Sequence, residues 1–150
     1  MNLTRIALLT QLATTLPLVG LIWLIQAVSY PQFARVGAGE FVAYHQAHTR
    51  LITWVVGPLM LGELVGALSW LLAPHAEVPR ALAWGGLGMV LCVWLVTGAI
   101  SVPQHEALAS GFRAESHAVL VSSNWLRTGL WTLRGALLLW VVSQQLAPPR

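Results

Sequence analysis

Four stretches of this chain are almost wholly apolar, at about 6–28, 51–72, 81–102 and 120–146. Each is close to the roughly twenty residues that cross a bilayer core as a helix. Polar and charged residues collect between them, in long links at 30–50 and 103–118 and a tight turn at 73–80. The pattern predicts an all-α integral membrane protein: one domain, four transmembrane helices, two hairpins packed as a bundle. Within 40–50 the pattern shifts to a helical period. Phe41, Tyr44, His45 and His48 fall at i, i+3, i+4 and i+7, so they share one face of an amphipathic segment. Pro31 predicts the end of the first span, because a proline drives the residue before it out of the α region. Pro58 predicts a kink in the second span. Gly62 and Gly66, spaced small-xxx-small, predict a close helix approach there.

The links repeat. Ser29, Pro31, Gln32, Gly39 and His45 recur 72 residues later as Ser101, Pro103, Gln104, Gly111 and His117. Motif and topology repeat together, which predicts two related hairpins about a pseudo-twofold axis. With four spans, both long links emerge on the same side, so His45, His48, His105 and His117 share one membrane face and His75 lies opposite. Ala27-Val-Ser29 has the small residues of a signal-peptide cleavage site. The run before it exceeds an h-region of about 7–15 residues, and the equivalent Ala99-Ile-Ser101 lies in mid-chain, so 6–28 is read as a span.

Composition strengthens the membrane reading. The chain is 57% hydrophobic and 9% charged, where a water-soluble domain carries about 25% charged residues. All eight basic residues are arginine and none cluster, which excludes a nucleic-acid stripe and a polybasic lipid patch. Arg35, Arg50 and Arg113 on the link side balance Arg5, Arg80 and Arg150 on the other, so arginine placement leaves orientation open. The lone Cys92 forms no internal disulfide. Eight tryptophans suit interfacial belts and packing against membrane lipid.

Some charges lie where lipid should be. Glu63 sits near the centre of the second span; Asn124, Arg127, Trp131 and Arg134 step by 3, 4 and 3 along the fourth, forming one stripe. An ionisable group at mid-bilayer costs about 2.5–3.5 kcal/mol, so it should face inward and find a partner. The repeat puts Glu63 and Arg134 at nearly one depth, roughly 18–21 Å from the histidine side at about 1.5 Å per residue. They are predicted to pair inside the bundle, with Arg127 and Asn124 nearer the histidines. The pair either fixes helix register or, with Tyr44 and Trp131, lines a polar cavity.

Imidazole is both the commonest metal ligand and a proton carrier at neutral pH. His45 and His48, one turn apart, with His105 and His117 supply a candidate set for a transition metal. His45 and His117, equivalent in the repeat, would face each other across the axis as for a b-type haem. No C-x-x-C-H or second cysteine is present, which excludes c-type haem and thiolate sites.

From Pro103 onward the chain, with Leu108 and then Asn124-Trp-Leu-Arg127, resembles a widespread group of small four-span bacterial membrane proteins, and more distantly the anthrone-oxygenase-like membrane proteins. Tyr30-Pro31, His45 and His48 match the first group and not the oxygenases. The resemblance implies a bacterial inner-membrane location and oxygenation of a lipophilic substrate, with or without a cofactor. Asn124 and Arg127 would hold the substrate oxygen while His45 or His117 removes a proton. The expectation is a small membrane oxidoreductase with its site between the links and the mouth of the bundle. Two alternatives stand beside it: an accessory subunit of a homo-oligomer or larger membrane complex, and a transporter or channel component.

Overall fold

The computed structural model describes residues 3–72 and 79–146, and every element among them is helical. Helix α1 (Leu3–Leu24) passes through a π turn at Ile25–Ser29 into the short α2 (Tyr30–Phe33). α3 is Phe41–Leu72. α4 (Arg80–Val96) passes through a second π turn, Thr97–Ser101, into α5 (Val102–Leu108), and α6 is Ala114–Leu146. α1 packs on α3 and α6, and α4 packs on the same two, so four long helices enclose one interior. His75 and most of the turn at 73–80 lie outside the described residues.

Pro31 does not end the first helix, contrary to the expectation from sequence. Proline lacks an N–H, and its ring clashes with the carbonyl four residues back. The π turn solves both problems: one extra residue widens the helix just before the ring, and the Tyr30 N–H bonds to the Ile25 carbonyl. The same device precedes Pro103, where the Val102 N–H bonds to the Thr97 carbonyl. The two π turns lie 72 residues apart, the spacing of the repeated motif. α3 continues as one α-helix through Pro58.

The links are shorter than expected. The amphipathic segment with His45 and His48 is the first three turns of α3, and α6 begins at Ala114 instead of near 120. What is left is 34–40 and 109–113. These connectors meet, with the Phe41 and Phe112 rings edge to face at 5.4 Å. The second turns at Gly111, whose φ of 147° suits a residue without a side chain.

Arg5–Phe33, Phe41–Leu72 and Arg80–Leu108 are long and apolar enough to cross a membrane; α6, which carries Glu115, Arg127 and Arg134, is not among them. The surface reverses the soluble pattern. Trp54, Leu61, Leu95, Leu133 and Trp140 face outward, while Gln11, Thr15, Gln26, Glu63, Asn124, Arg127 and Arg134 are buried.

The glycine pair on α3 makes the expected close approach. A Cβ at Gly62 would meet Thr14 Cγ2 at 2.8 Å, and one at Gly66 would meet Gln11 Cγ at 2.6 Å. Gly20 faces open space. Gly66→Leu should therefore cost about 1–3 kcal/mol by overpacking, while Gly20→Leu should be neutral or stabilising. Thermal unfolding of the two variants in one detergent checks this; equal midpoints would refute it.

Candidate functional site

Two polar layers lie inside the bundle: the first joins all four long helices, and the second joins α6 to α2 and to both π turns. In the first, Arg134 Nε donates to Glu63 Oε1 at 2.9 Å with both side chains out of solvent. Thr15 Oγ1 donates to the same oxygen at 2.7 Å and Trp131 Nε1 to Oε2 at 2.9 Å. The Arg134 fork is also used at both ends: Nη1 to the Gly86 carbonyl and Nη2 to Gln11 Oε1, each 2.8 Å. Gly86 must be small, since a Cβ there would meet Arg134 Nη1 at 2.9 Å. Glu63 and Arg134 are thus brought together, and neither they nor Trp131 are in the lining of the cavities described below. Their hydrogen-bonding capacity is taken up within the protein, which is what a buried charge needs to be tolerated.

The second layer is nearer the connectors. Asn124 Nδ2 donates to Gln26 Oε1 at 2.8 Å. Arg127 Nη1 donates to Ser101 Oγ at 3.1 Å, and its guanidinium lies beside the Tyr30 hydroxyl and over the Trp131 ring. Arg127 is 5% exposed, its Nε has no partner, and among the described residues no carboxylate lies within ion-pair distance of it. Two arginines two turns apart on one helix therefore differ in kind: Arg134 is sealed and Arg127 is left with an open donor.

From Arg127 a chain of titratable groups leads outward. The Tyr30 hydroxyl is 3.2 Å from His105 Nε2, and His105 Nδ1 is 3.0 Å from His45 Nε2. Four-helix convergence makes this possible: Tyr30 comes from α2, His45 from α3, His105 from α5 and Arg127 from α6. Tyr30, His45 and His105 pack around Phe33. The Phe33 ring is fully buried and contacts His45, His48, His105 and His117 at centroid distances of 5.6, 4.9, 6.3 and 6.4 Å.

That ring decides the fate of the expected metal set. His45 does not face His117; Phe33 touches both, and His45 pairs with His105 instead. His117 Nε2 donates to the Tyr30 carbonyl at 2.7 Å, and His48 stacks on His105 at 6.2 Å. Among the described residues no three histidine, cysteine or acidic side chains form a metal-holding group. His45 Nε2 and His105 Nδ1 are turned to each other, His105 Nε2 to Tyr30 and His117 Nε2 to backbone, while His45 Nδ1 is buried without a partner. Tyr44 packs edge-on against Phe33 at 5.9 Å and lines no described cavity.

A cavity of about 240 Å³ opens between α3 and α4–α5. Its walls are apolar (Ile52, Val56, Met60, Trp94 and Val102), and its polar end holds Tyr30, His48, Ser101, His105 and Arg127. Both π turns contribute to it, through Ile25 and through Thr97 and Ser101. A second, outer hollow of about 290 Å³ is lined by His45, Gln46, Thr49, His105 and Glu106. The hydrogen-bonded His45–His105 pair stands between the two.

Sequence reasoning missed Tyr30, Ser101, Gln11, Thr15 and Gln26. A signal was present for α1: Gln11, Thr15, Gln26 and Tyr30 step by 4, 11 and 4, which keeps them on one helical face. No family model, curated protein or solved structure matches the chain.

Glu63→Leu or Arg134→Leu alone should cost about 3–5 kcal/mol, because each strands a buried charge. The double variant should be more stable than either. A double-mutant cycle on thermal unfolding checks this, and additive losses would refute the coupling.

Proposed function

We propose that the protein is a four-span membrane protein and a small oxidoreductase acting on a lipophilic substrate in the cavity between α3 and α4–α5. One observation carries the reading: an apolar cavity ends on an arginine with an unsatisfied buried donor, next to a Tyr30–His105–His45 hydrogen-bonded chain. A buried donor without a partner is costly, and a ligand oxygen would satisfy it; Trp94 Nε1, on the wall of the same cavity, is a second buried donor without a partner.

α6 is the fourth span in this reading. Its polar stripe (Asn124, Arg127, Thr128 and Arg134) points inward, and Leu126, Leu133, Leu139 and Trp140 point outward. Lipid would therefore meet an apolar surface, although the helix as a whole carries charges. The duplicated hairpin is supported by the two π turns, which fall at equivalent positions before equivalent prolines.

The chemistry begins with acid–base transfer at the substrate oxygen. Arg127 holds that oxygen through its fork of donors. Tyr30 takes the proton as it passes its own to His105 Nε2, and His105 passes its Nδ1 proton to His45 Nε2. The result is an electron-rich enolate or phenolate in an apolar site, where dioxygen is the oxidant. For an aryl ketone with an activated methylene, one atom of dioxygen replaces the two methylene hydrogens to form a new carbonyl. Those two hydrogens leave with the other oxygen atom as water, so the step balances without a further reductant. The transporter alternative draws less support, because below Arg127 both Glu63 oxygens and all three Arg134 nitrogens are internally bonded.

Oxygen uptake by the purified protein in detergent with 1-naphthol, whose keto tautomer is a two-ring aryl ketone with an activated methylene, tests this. His105→Ala should slow it by about 100-fold or more, the usual yield of a positioned acid–base group. Arg127→Gln should weaken substrate binding roughly 10- to 100-fold, the worth of one charge-assisted hydrogen bond. Rates unchanged in both variants would remove the site from the reaction.

A further inference from the structure

Gly57 lies on the rim of the α3–α4 cavity, and a Cβ built there meets nothing within 4 Å. Thr53, one turn away, and Val102 on the opposite side are exposed at the same rim. The surface around this opening is apolar and outward-facing: Trp54, Leu61, Leu91 and Leu95 are all well exposed. The opening is thus on the flank of two helices that are each apolar enough to cross a membrane, and not at the end of the bundle.

Resting on the ligand site proposed above, we infer that the cavity admits its ligand sideways from lipid, and that the ligand is a two-ring aromatic alcohol carrying an alkyl tail. The size follows from volume. A dry cavity of about 150 Å³ accommodates benzene, so about 240 Å³ suits two fused rings. The polar end fixes the functional group. The Arg127 guanidinium and the Tyr30 hydroxyl, both at the buried end of the lining, offer a donor and a proton acceptor for one oxygen. The tail follows from the opening: a head inserted oxygen-first leaves its other end between Gly57 and Val102, against Trp94 and the lipid-facing leucines. Gly57 is then a specificity-determining residue, small because a substituent passes it.

The bland reading of Gly57 is that it precedes Pro58, whose ring disfavours a helical residue with a Cβ before it. The test therefore uses two variants. Gly57→Leu fills the mouth, and Thr53→Trp covers it from an exposed position that does not precede a proline. Binding of 2-naphthol and of a decyl-substituted 2-naphthol is measured by equilibrium dialysis in one detergent, with Gly20→Leu as a control at an open position elsewhere. Both probes should bind the native protein, and both mouth variants should lose at least tenfold in affinity while Gly20→Leu binds normally. The decyl probe should lose more than 2-naphthol, because its tail must occupy the blocked passage. If Gly57→Leu lowers the thermal midpoint, Thr53→Trp alone decides. Native affinity in the folded mouth variants, with affinity still lost in Arg127→Gln, overturns the sideways route and leaves the ligand site standing. Absence of binding of either naphthol to the native protein overturns both.

Discussion

The bundle is organised around the cost of placing charge in an interior from which water is excluded. Glu63 and Arg134 meet that cost jointly, at 2.9 Å, and they succeed because both carboxylate oxygens and all three guanidinium nitrogens are hydrogen-bonded. A carboxylate with three donors and a guanidinium with three acceptors constrain all the helices that supply them. Sliding α3 against α6 by one turn, about 5.4 Å, would break the Glu63 bonds to Arg134 and Trp131 together. An exterior of leucine and tryptophan offers no comparable register, since one apolar contact resembles the next. The ionic layer supplies the specificity that the apolar surface lacks, a role known for buried polar groups in helical assemblies.

Against that sealed layer, the second polar layer stands out by being incomplete. Arg127 shares a helix and a face with Arg134, yet has a hydroxyl and an aromatic ring where Arg134 has a carboxylate. The unpartnered Nε and the adjoining cavity belong together physically. Trp131 joins the layers, with its indole N–H on Glu63 and its ring under Arg127. The sealed network thereby also sets the position of the open one.

The π turns link backbone to site. Pro31 and Pro103 each follow a π turn, and a helix stopped at Pro103 could not carry His105 to Tyr30. Widening by one residue keeps the helix going and turns Ile25, Thr97 and Ser101 into the cavity. π turns are rare and are found most often at functional sites. Here the same residues that accommodate a proline also shape the proposed ligand pocket.

What the chain determined by itself was the kind of protein and the pairing of its charges. Runs of apolar residues dictate long helices, and the expense of a lone buried ion dictates that Glu63 finds a partner such as Arg134. The close approach at Gly62 and Gly66 was legible for the same reason: small residues at that spacing leave a groove on one face. The histidines were different. Their convergence at the connectors followed from topology, but their partners did not. Phe33 occupies the place in the first half that His105 holds in the second, and this single difference directs His45 to His105 and away from His117. Nor could the sequence reveal that Pro31 is absorbed by a π turn, because a widened helix and a broken one begin with the same residues. Local preference and burial are written along the chain. Which nitrogen meets which oxygen, and where an empty volume is left beside them, depends on how four helices pack at once.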